Sequence, residues 1–272
     1  MARVAVVQFE ASIHKDENLR RIIEYIREAS GNGADVCAFP EFMMAYTPSA
    51  QSDMELAAGA ETVSGPFVSE VCRAASDSHI EVVGTFYEKS PKSDRVYDAS
   101  FLADRSGTIR SVYRKIHLYD ALGFRESDKL EPGDFIASPV RTGAGMTGMM
   151  ICYDLRFPEM SRTLAEAGAH TLVVPSAWVA GEGKVGHWIT MNRARAMENG
   201  CFVVAPAHTG NIYCGRSLVV DPFGDILLDM GDGEGIGYAD VDVGAVQQTR
   251  ERLPLLRNRR LDIYPDMSGP VR

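Results

Sequence analysis

The sequence predicts an α/β fold in which two sheets pack face to face and helices cover their outer faces. Apolar segments typical of strands alternate with helical patterns along the 272 residues. The order strand, helix, strand, helix, strand, hairpin occurs twice, which predicts an internal repeat of two similar halves. The strand segments are continuously apolar, as expected for strands with both faces covered. Because no linker divides the chain, we expect residues 1–272 to form one domain.

The first half contains three predicted strands, two helices and a hairpin. We expect strands over 4–9, 35–39 and 80–87, helices over 17–29 and 66–78, and a hairpin of 97–103 with 108–113. In the first helix, Leu19, Ile22 and Ile26 are spaced three and four residues apart, which places them on one helical face. Gly31 and Gly33 predict its end.

The second half repeats this order. We expect strands over 148–152, 170–174 and 201–206, helices over 158–167 and 188–199, and a hairpin of 216–220 with 226–230. Pro158 favours the start of its helix, where a missing N–H costs nothing. Residues 231–272 are rich in glycine and then in charges. They predict a helix followed by an extended tail.

Charge and hydropathy exclude two classes of partner. The chain carries 28 Lys and Arg against 37 Asp and Glu, a formal net charge of -9, so we expect no nucleic-acid binding. The sequence contains no run of 18 apolar residues, so it predicts no membrane span. The chain begins with a strand-like segment rather than a signal peptide, and we therefore expect a cytoplasmic protein.

The five cysteines predict neither a disulfide framework nor a zinc ribbon. They stand at Cys37, Cys72, Cys152, Cys201 and Cys214. Their number is odd, their spacing is wide, and no Cys-x-x-Cys pair occurs. Most of them are expected to be small buried hydrophobic residues.

One glycine motif resembles a dinucleotide-binding signature. Residues 143–148 fit G-x-G-x-x-G, but such a motif must follow a strand and open a helix. Here the glycines precede the predicted strand 148–152, so we interpret them as a turn. The alternative hypothesis of a dinucleotide-binding oxidoreductase rests on this match alone.

Cys152 ends a predicted apolar strand just before a predicted helix. A thiol in this position is exposed at the rim of a sheet, and the helix N-terminus is expected to lower its pKa. The same N-terminus offers backbone N–H donors for an oxyanion. Taken alone, a cysteine at a strand end is more often part of the core than a nucleophile.

Two charged side chains at other predicted strand ends, with a third nearby in the sequence, favour the catalytic interpretation. Glu41 follows the buried strand 35–39, where a carboxylate is costly unless it is paired or used. Lys115 closes the hairpin, and Glu126 lies 11 residues further on. Together they place a base, a cation and a thiol at strand ends in both halves.

These segments resemble the nitrilase superfamily of carbon–nitrogen hydrolases over nearly the whole chain. The family triad of Glu, Lys and Cys matches Glu41 in Phe-Pro-Glu, Lys115 in Arg-Lys-Ile-His-Leu, and Cys152 in Ile-Cys-Tyr-Asp-Leu-Arg-Phe-Pro-Glu. Glu126 matches the family's second glutamate. Within the superfamily, residues 115–121, 175–178 and 193–196 are most similar to Nit-type amidases, namely deaminated glutathione amidases and omega-amidases.

The resemblance implies a four-layer α-β-β-α sandwich with a pseudo-two-fold repeat. It also implies hydrolysis of a small-molecule amide to an acid and ammonia through a thioester on Cys152. Glu41 is the expected base, Lys115 and the backbone N–H of Tyr153 the oxyanion donors, and Glu126 an orienting residue. Trp178 is a candidate pocket wall. No metal or organic cofactor is required.

The resemblance further implies a homodimer or larger homo-oligomer, with the tail 245–272 contacting a partner subunit. We expect the loops 42–60, 119–130 and 178–187 to set substrate specificity. Arg156 and Glu159 are interpreted as scaffold.

Three other functions remain open at the level of sequence. A papain-like enzyme would pair Cys152 with His208, for which we expect instead a role in loop structure or in lining the pocket. A scaffold protein of the same fold would not need the intact Glu41, Lys115 and Cys152. Within the superfamily, an aliphatic amidase, a nitrilase or a carbamoyl hydrolase shares the same triad.

Overall fold

The computed structural model describes residues 1–263 and confirms the predicted four-layer α-β-β-α architecture. The first sheet contains the strands β1 Ala2–Gln8, β2 Val36–Ala38, β3 Glu81–Lys89, β4 Val96–Ala103, β5 Ile109–Arg114 and β14 Gly235–Val241. The second contains β6 Val140–Thr142, β7 Gly145–Met149, β8 Thr171–Val173, β9 Phe202–Ala205, β12 Leu218–Val220 and β13 Ile226–Asp229. A small ribbon is formed by β10 Thr209–Gly210 and β11 Tyr213–Cys214. The helices are α1 Lys15–Gly31, α2 Asp53–Gly59, α3 Pro66–Ser78, α4 Pro158–Glu166, α5 Lys184–Asn199 and α6 Val243–Arg252.

The two sheets have the same topology, which gives the sequence repeat a structural basis. The first sheet has the order β14-β1-β2-β3-β4-β5, and the second has the order β13-β12-β9-β8-β7-β6. In each sheet three parallel strands form the centre, β1, β2 and β3 or β7, β8 and β9. An antiparallel strand borders one side, and an antiparallel hairpin borders the other.

Strand β1 shows how the apolar sequence builds the layers. Val4 and Val6 join the cluster that includes Leu172 of the second sheet. Ala5 and Val7 point the other way, into the cluster that includes Ile22 of α1. Successive side chains of a strand alternate between its faces, so a strand covered on both sides must be apolar throughout.

The structure corrects the sequence prediction in three places. The edge strands β6 and β14 were not predicted, although both complete their sheets by antiparallel pairing. Helix α2 lies within residues 42–60, which the sequence analysis predicts to be a loop, and Ser52 and Glu55 form a capping box at its start. The strand predicted over 148–152 is β7, which ends at Met149, so that Cys152 begins a short 3-10 helix instead of ending a strand.

Gly143 lies in the turn between β6 and β7, and Gly145 and Gly148 lie in β7 itself. The motif therefore leads into a strand, as the turn interpretation predicted. The C-terminal segment forms α6, which confirms the predicted helix. The predicted tail contact with a partner subunit falls partly on residues 264–272, which lie outside the described residues. Within residues 1–263, no helix is long and apolar enough to cross a membrane.

Gln8 joins the two halves through its side-chain amide. Its Oε1 accepts a hydrogen bond from the backbone N–H of Ser217 at 2.7 Å, and its Nε2 donates to the carbonyls of Gly231 and Gly233 at 3.0 and 2.6 Å. The side chain is fully buried. A buried amide with these partners fixes the end of β1 against the segments that precede β12 and follow β13.

We expect Gln8→Ala to lower the free energy of unfolding by about 1–3 kcal/mol, because it leaves the buried N–H of Ser217 without its acceptor. Urea denaturation followed by circular dichroism measures this loss. Gln247→Ala is the matched control, since Gln247 lies exposed on α6 and bonds only Glu251. Equal stability of the two variants would contradict the role given to Gln8.

Candidate active site

Four side chains from both sheets converge where the two sheets meet. Glu41 lies three residues after β2, Lys115 directly after β5, and Cys152 three residues after β7. Glu126 begins a short 3-10 helix in the loop that follows β5. Glu41 and Lys115 are each 1% exposed and Cys152 is 8% exposed. The structure thus brings together all four residues that the sequence predicted as catalytic.

Lys115 is the centre of this cluster. Its ammonium donates to Glu41 Oε1 at 2.7 Å and to Glu126 Oε1 at 3.0 Å. A third carboxylate, Asp98 on β4, has its Oδ2 3.6 Å from Nζ. The sequence analysis missed Asp98, although a carboxylate inside an apolar strand covered on both faces is a recognisable signal.

Backbone N–H groups also hold both glutamates. Glu41 Oε2 accepts a hydrogen bond from the backbone N–H of Ala177 at 2.7 Å. Glu126 Oε2 accepts from the N–H of Tyr119 at 2.7 Å and also lies 2.9 Å from the Lys115 ammonium. Each carboxylate therefore contacts both Lys115 and a backbone donor, which fixes its orientation.

Cys152 has an uncommon backbone conformation. Its φ is +43°, a value that L-residues rarely adopt, and it opens the 3-10 helix Cys152–Arg156. Its N–H donates to the carbonyl of Pro175 at 2.9 Å. The N–H of Tyr153 belongs to the first turn of this helix, where N–H groups have no intrahelical acceptor.

Asp154 holds this strained turn in place. Its fully buried carboxylate accepts hydrogen bonds from the N–H of Ile151 at 2.9 Å and from the hydroxyl of Tyr113 at 2.6 Å. Its other oxygen contacts the N–H and Nδ1 of His117 at 3.2 and 2.7 Å. Asp154 therefore ties the nucleophile turn to the segment around Lys115, a role that the sequence analysis did not assign.

The electrostatics differ from the expectation for Cys152. Burial, followed by the neighbouring Glu41, raises the pKa of the Cys152 thiol well above its usual range, and Lys115 offsets only part of this rise. The expected lowering by a helix N-terminus is thus wrong, because desolvation outweighs it. The thiol is protonated in the free protein and needs a base.

Lys115 keeps its charge despite its burial. Burial alone would lower the pKa of Lys115, but Glu126, Glu41 and Asp98 raise it well above its usual range. Burial raises the pKa of Glu126, and Lys115 opposes that rise. The site therefore provides a permanent cation beside a protonated thiol.

The cluster opens into a cavity of about 500 Å³. Cys152, Tyr153 and Trp178 line it, together with residues of the three loops that were expected to set specificity. Trp178 is 3% exposed, donates from Nε1 to the carbonyl of Lys184 at 2.9 Å and packs against Trp188. It is therefore both a cavity wall and part of the core.

The cavity wall is rich in cations. Arg156 lies 4.7 Å from the centre of the Trp178 ring, and the Lys184 ammonium lies 5.4 Å from the same ring. Lys184 Nζ donates to the Tyr119 hydroxyl at 3.1 Å. Among the described residues neither cation has a carboxylate within 4 Å. Arg156 therefore borders the cavity, and its interpretation as scaffold stays a prediction.

His208 lies apart from the cavity. It is fully buried, stacks on Phe9, and places Nδ1 3.1 Å from the carbonyl of Thr209. Burial lowers the pKa of His208 to about 4, so the imidazole is neutral near pH 7. Its contacts agree with the expected role in loop structure, and the lining described for the cavity does not include it.

A metal site has no support in residues 1–263. That part of the chain contains no group of three His, Cys, Asp or Glu side chains placed to hold an ion. The acidic groups around Lys115 are held by that lysine and by backbone N–H donors.

Comparisons with known proteins agree with this geometry. The chain is 34% identical over 282 residues to the deaminated glutathione amidase of Bos taurus, covering 98% of this chain and 85% of that protein. It is 32% identical over 275 residues to omega-amidase NIT2 of Mus musculus, covering 96% of each. The crystal structure of Saccharomyces cerevisiae Nit3, a member of branch 10 of the nitrilase superfamily, superposes with a TM-score of 0.85 at 31% identity, over 95% of this chain and 96% of that one.

The family assignment rests on almost the full length. Residues 3–251 match the carbon-nitrogen hydrolase family, which confirms the resemblance found in the sequence motifs. The chain belongs to the carbon–nitrogen hydrolase family.

Proposed function

We propose that the protein is a cysteine-dependent amidase that hydrolyses a small-molecule amide whose acyl part carries a carboxylate. One observation carries the proposal. The thiol of Cys152 faces a cavity that also contains Arg156 and Lys184, two cations without a carboxylate partner among the described residues. The buried Glu41–Lys115 pair supplies the groups that amide hydrolysis needs.

The first step is attack on the amide carbonyl. Glu41 takes the proton from the Cys152 thiol, and the thiolate sulfur bonds to the carbonyl carbon. The carbonyl π electrons move to oxygen, which becomes an oxyanion. Lys115 and the N–H of Tyr153 donate to it. Lys115 has three N–H groups and uses two on Glu41 and Glu126, so the third remains for the oxyanion.

The second step breaks the carbon–nitrogen bond. Glu41 returns its proton to the nitrogen, the oxyanion re-forms the carbonyl, and ammonia or an amine leaves. Cys152 then holds the acyl group as a thioester. Glu41 next takes a proton from water, the hydroxide attacks the thioester, and the proton on Glu41 returns to the departing sulfur. The products are a carboxylic acid and the free thiol.

The cations define the substrate class. A protein of net charge -9 repels an anionic substrate at long range, so binding requires local positive charge. Arg156, Lys184, Arg125 and Lys129 all line the cavity, whereas Glu126 is the one carboxylate among its described lining residues. The names of two relatives, deaminated glutathione amidase and omega-amidase, agree with an amide of this class. The test substrate is 2-oxoglutaramate, a primary amide whose acyl part carries a carboxylate and whose hydrolysis releases ammonia.

An aliphatic amidase is the second candidate. The cavity wall also contains many aromatic side chains, among them Phe42, Tyr87, Tyr119 and Tyr213. Such a wall suits a neutral acyl group as well. A nitrilase or carbamoyl hydrolase shares the same triad but has no separate observation in its favour.

The proposal includes a homodimer or larger homo-oligomer and a cytoplasmic location. The five cysteines are free, which is typical of a reducing compartment.

Light scattering coupled to size exclusion tests the oligomeric state. A single domain over residues 1–272 and the tail contact with a partner subunit belong to the same proposal.

We expect Cys152→Ala to lose amide hydrolysis by a factor on the order of 10⁶, because the covalent route is removed. Cys214→Ala is the matched control, since Cys214 is half-buried and does not line the cavity. The initial rate of ammonia release from 2-oxoglutaramate measures both variants. Turnover of Cys152→Ala near the rate of the control would exclude Cys152 as the nucleophile.

Glu41→Gln should lower kcat by at least about 10²-fold, because it removes the general base with little change of shape. His208→Gln should keep most of the activity, since a neutral buried imidazole outside the cavity takes no part. Thermal melting of both variants separates loss of chemistry from loss of fold. An active Glu41→Gln together with an inactive, folded His208→Gln would support a papain-like pair instead.

Arg156→Met should lower kcat/KM for 2-oxoglutaramate by about 10- to 100-fold, since a charge-assisted hydrogen bond contributes about 1.5–3 kcal/mol. The same variant should hydrolyse propionamide as the wild type does. Arg110→Met, an exposed change on β5, is the control. If propionamide is the better substrate of the wild-type enzyme, the aliphatic amidase replaces the acidic-substrate proposal.

A further inference from the structure

Asp98 is a buried carboxylate that the steps above do not use. It lies on β4, on the face shared with Ser100 and Leu102 that meets the second sheet. It is 1% exposed, and its Oδ2 has no hydrogen-bond partner among the described residues. Its nearest cation is Lys115, whose Nζ lies 3.6 Å from Oδ2, beyond hydrogen-bond distance.

The charges around Lys115 do not balance if every carboxylate is ionised. Glu41, Glu126 and Asp98 would bring three negative charges to one ammonium, all in a nearly dry site. Glu41 and Glu126 each have a short hydrogen bond to Lys115 and a second to a backbone N–H. Among the described residues, Asp98 Oδ2 has a hydrogen bond neither to Lys115 nor to a backbone N–H. Its one ionic contact within residues 1–263 is the Lys115 ammonium at 3.6 Å, which two other carboxylates already share. A buried carboxylate is strongly disfavoured in its ionised form without a hydrogen-bond donor, so the proton belongs on Asp98.

We propose that Asp98 is a positioning residue that stays protonated during turnover and thereby leaves the third N–H of Lys115 free for the oxyanion. The inference rests on the proposed amide hydrolysis. With Asp98 neutral, the cluster of Lys115, Glu41, Glu126 and Asp98 carries one net negative charge. An ionised Asp98 would add a second and would draw the ammonium away from the substrate.

The surroundings of Asp98 support this protonation state. Burial, followed by Glu41, raises the pKa of Asp98 well above its usual range, and Lys115 opposes the rise only in part. Glu126 also faces the cluster and adds to the rise. Across the sheet, Asp98 is paired in register with Tyr87 of β3, whose own pKa is raised by burial and which is therefore neutral.

The sign of the pH effect follows from the raised pKa. Below that pKa Asp98 is neutral and the site is competent. As the pH rises through it, Asp98 ionises, competes with the oxyanion for Lys115 and adds negative charge beside the Cys152 thiolate. Activity should therefore fall on the alkaline side.

Asp98→Asn tests this directly, because asparagine has nearly the same shape as a neutral aspartic acid. We expect kcat/KM near pH 7 to fall less in Asp98→Asn than in Asp98→Ala, because alanine removes the polar group altogether. We also expect the alkaline limb of the pH–rate profile to move to higher pH. A folded variant with activity reduced more than about 100-fold and an unmoved alkaline limb would overturn the proposal, since it would mean that the charge of Asp98 is needed.

Infrared spectroscopy gives a second readout that requires no substrate. The wild-type spectrum should contain the carbonyl band of a protonated carboxylic acid that Asp98→Asn lacks. Asp104→Asn is the control: Asp104 lies in the β4–β5 turn, its pKa is lowered by hydrogen bonds from Ser106, and the variant should keep the band. If the band is unchanged in Asp98→Asn, Asp98 is ionised and the inference fails. If the wild-type protein does not hydrolyse amides but the band is lost in Asp98→Asn, the proposed function is refuted and the protonation of Asp98 is not.

Discussion

The buried ion pair between Lys115 and Glu41 is the interaction on which the rest of the site depends. Both side chains are 1% exposed and lie 2.7 Å apart. Removing one partner of such a pair typically costs about 3–5 kcal/mol, because the other charge is left without compensation. The fold must therefore bring together the segments that follow β2 and β5 of the first sheet, and the N–H of Ala177, which follows β8 of the second sheet, must complete the pair. The same charges then serve catalysis without reorganisation.

Burial of this site determines the role of each of its residues. Desolvation keeps the Cys152 thiol protonated, so the nucleophile depends on Glu41 for its activation. Lys115 remains charged because carboxylates surround it. Asp154 and the positive φ of Cys152 fix where the sulfur lies relative to both. Outside this cluster, Arg156 and Lys184 present positive charge to the cavity, which separates recognition of the acyl group from the chemistry.

Much of the fold was predictable because apolar periodicity is a local property. The bounds of α3 agree with the prediction, and the repeated element order predicted the paired sheets. Strand β6 was missed because it has only three residues, and β14 was missed because it contains two glycines and is stabilised by pairing with β1, far away in the sequence. The sequence also predicted that Glu41, Lys115 and Cys152 lie close to the ends of strands, although Cys152 follows its strand by three residues. The contacts of Asp98 and Arg156 were not predictable, since they depend on how the segments after neighbouring strands fold back on each other. The bond between Asp154 and Tyr113 was not predictable either, because it forms only when the two sheets pack together.

The central claim is that the buried Glu41–Lys115 pair activates Cys152 to form an acyl-enzyme. Rapid acid quench during turnover of 2-oxoglutaramate, followed by intact-mass and peptide mass spectrometry, tests it most directly. We predict a transient mass increase equal to the acyl group, located on the peptide that contains Cys152 and not formed by Glu41→Gln. Steady amide hydrolysis with no adduct on Cys152, or an adduct on another residue, would contradict the account.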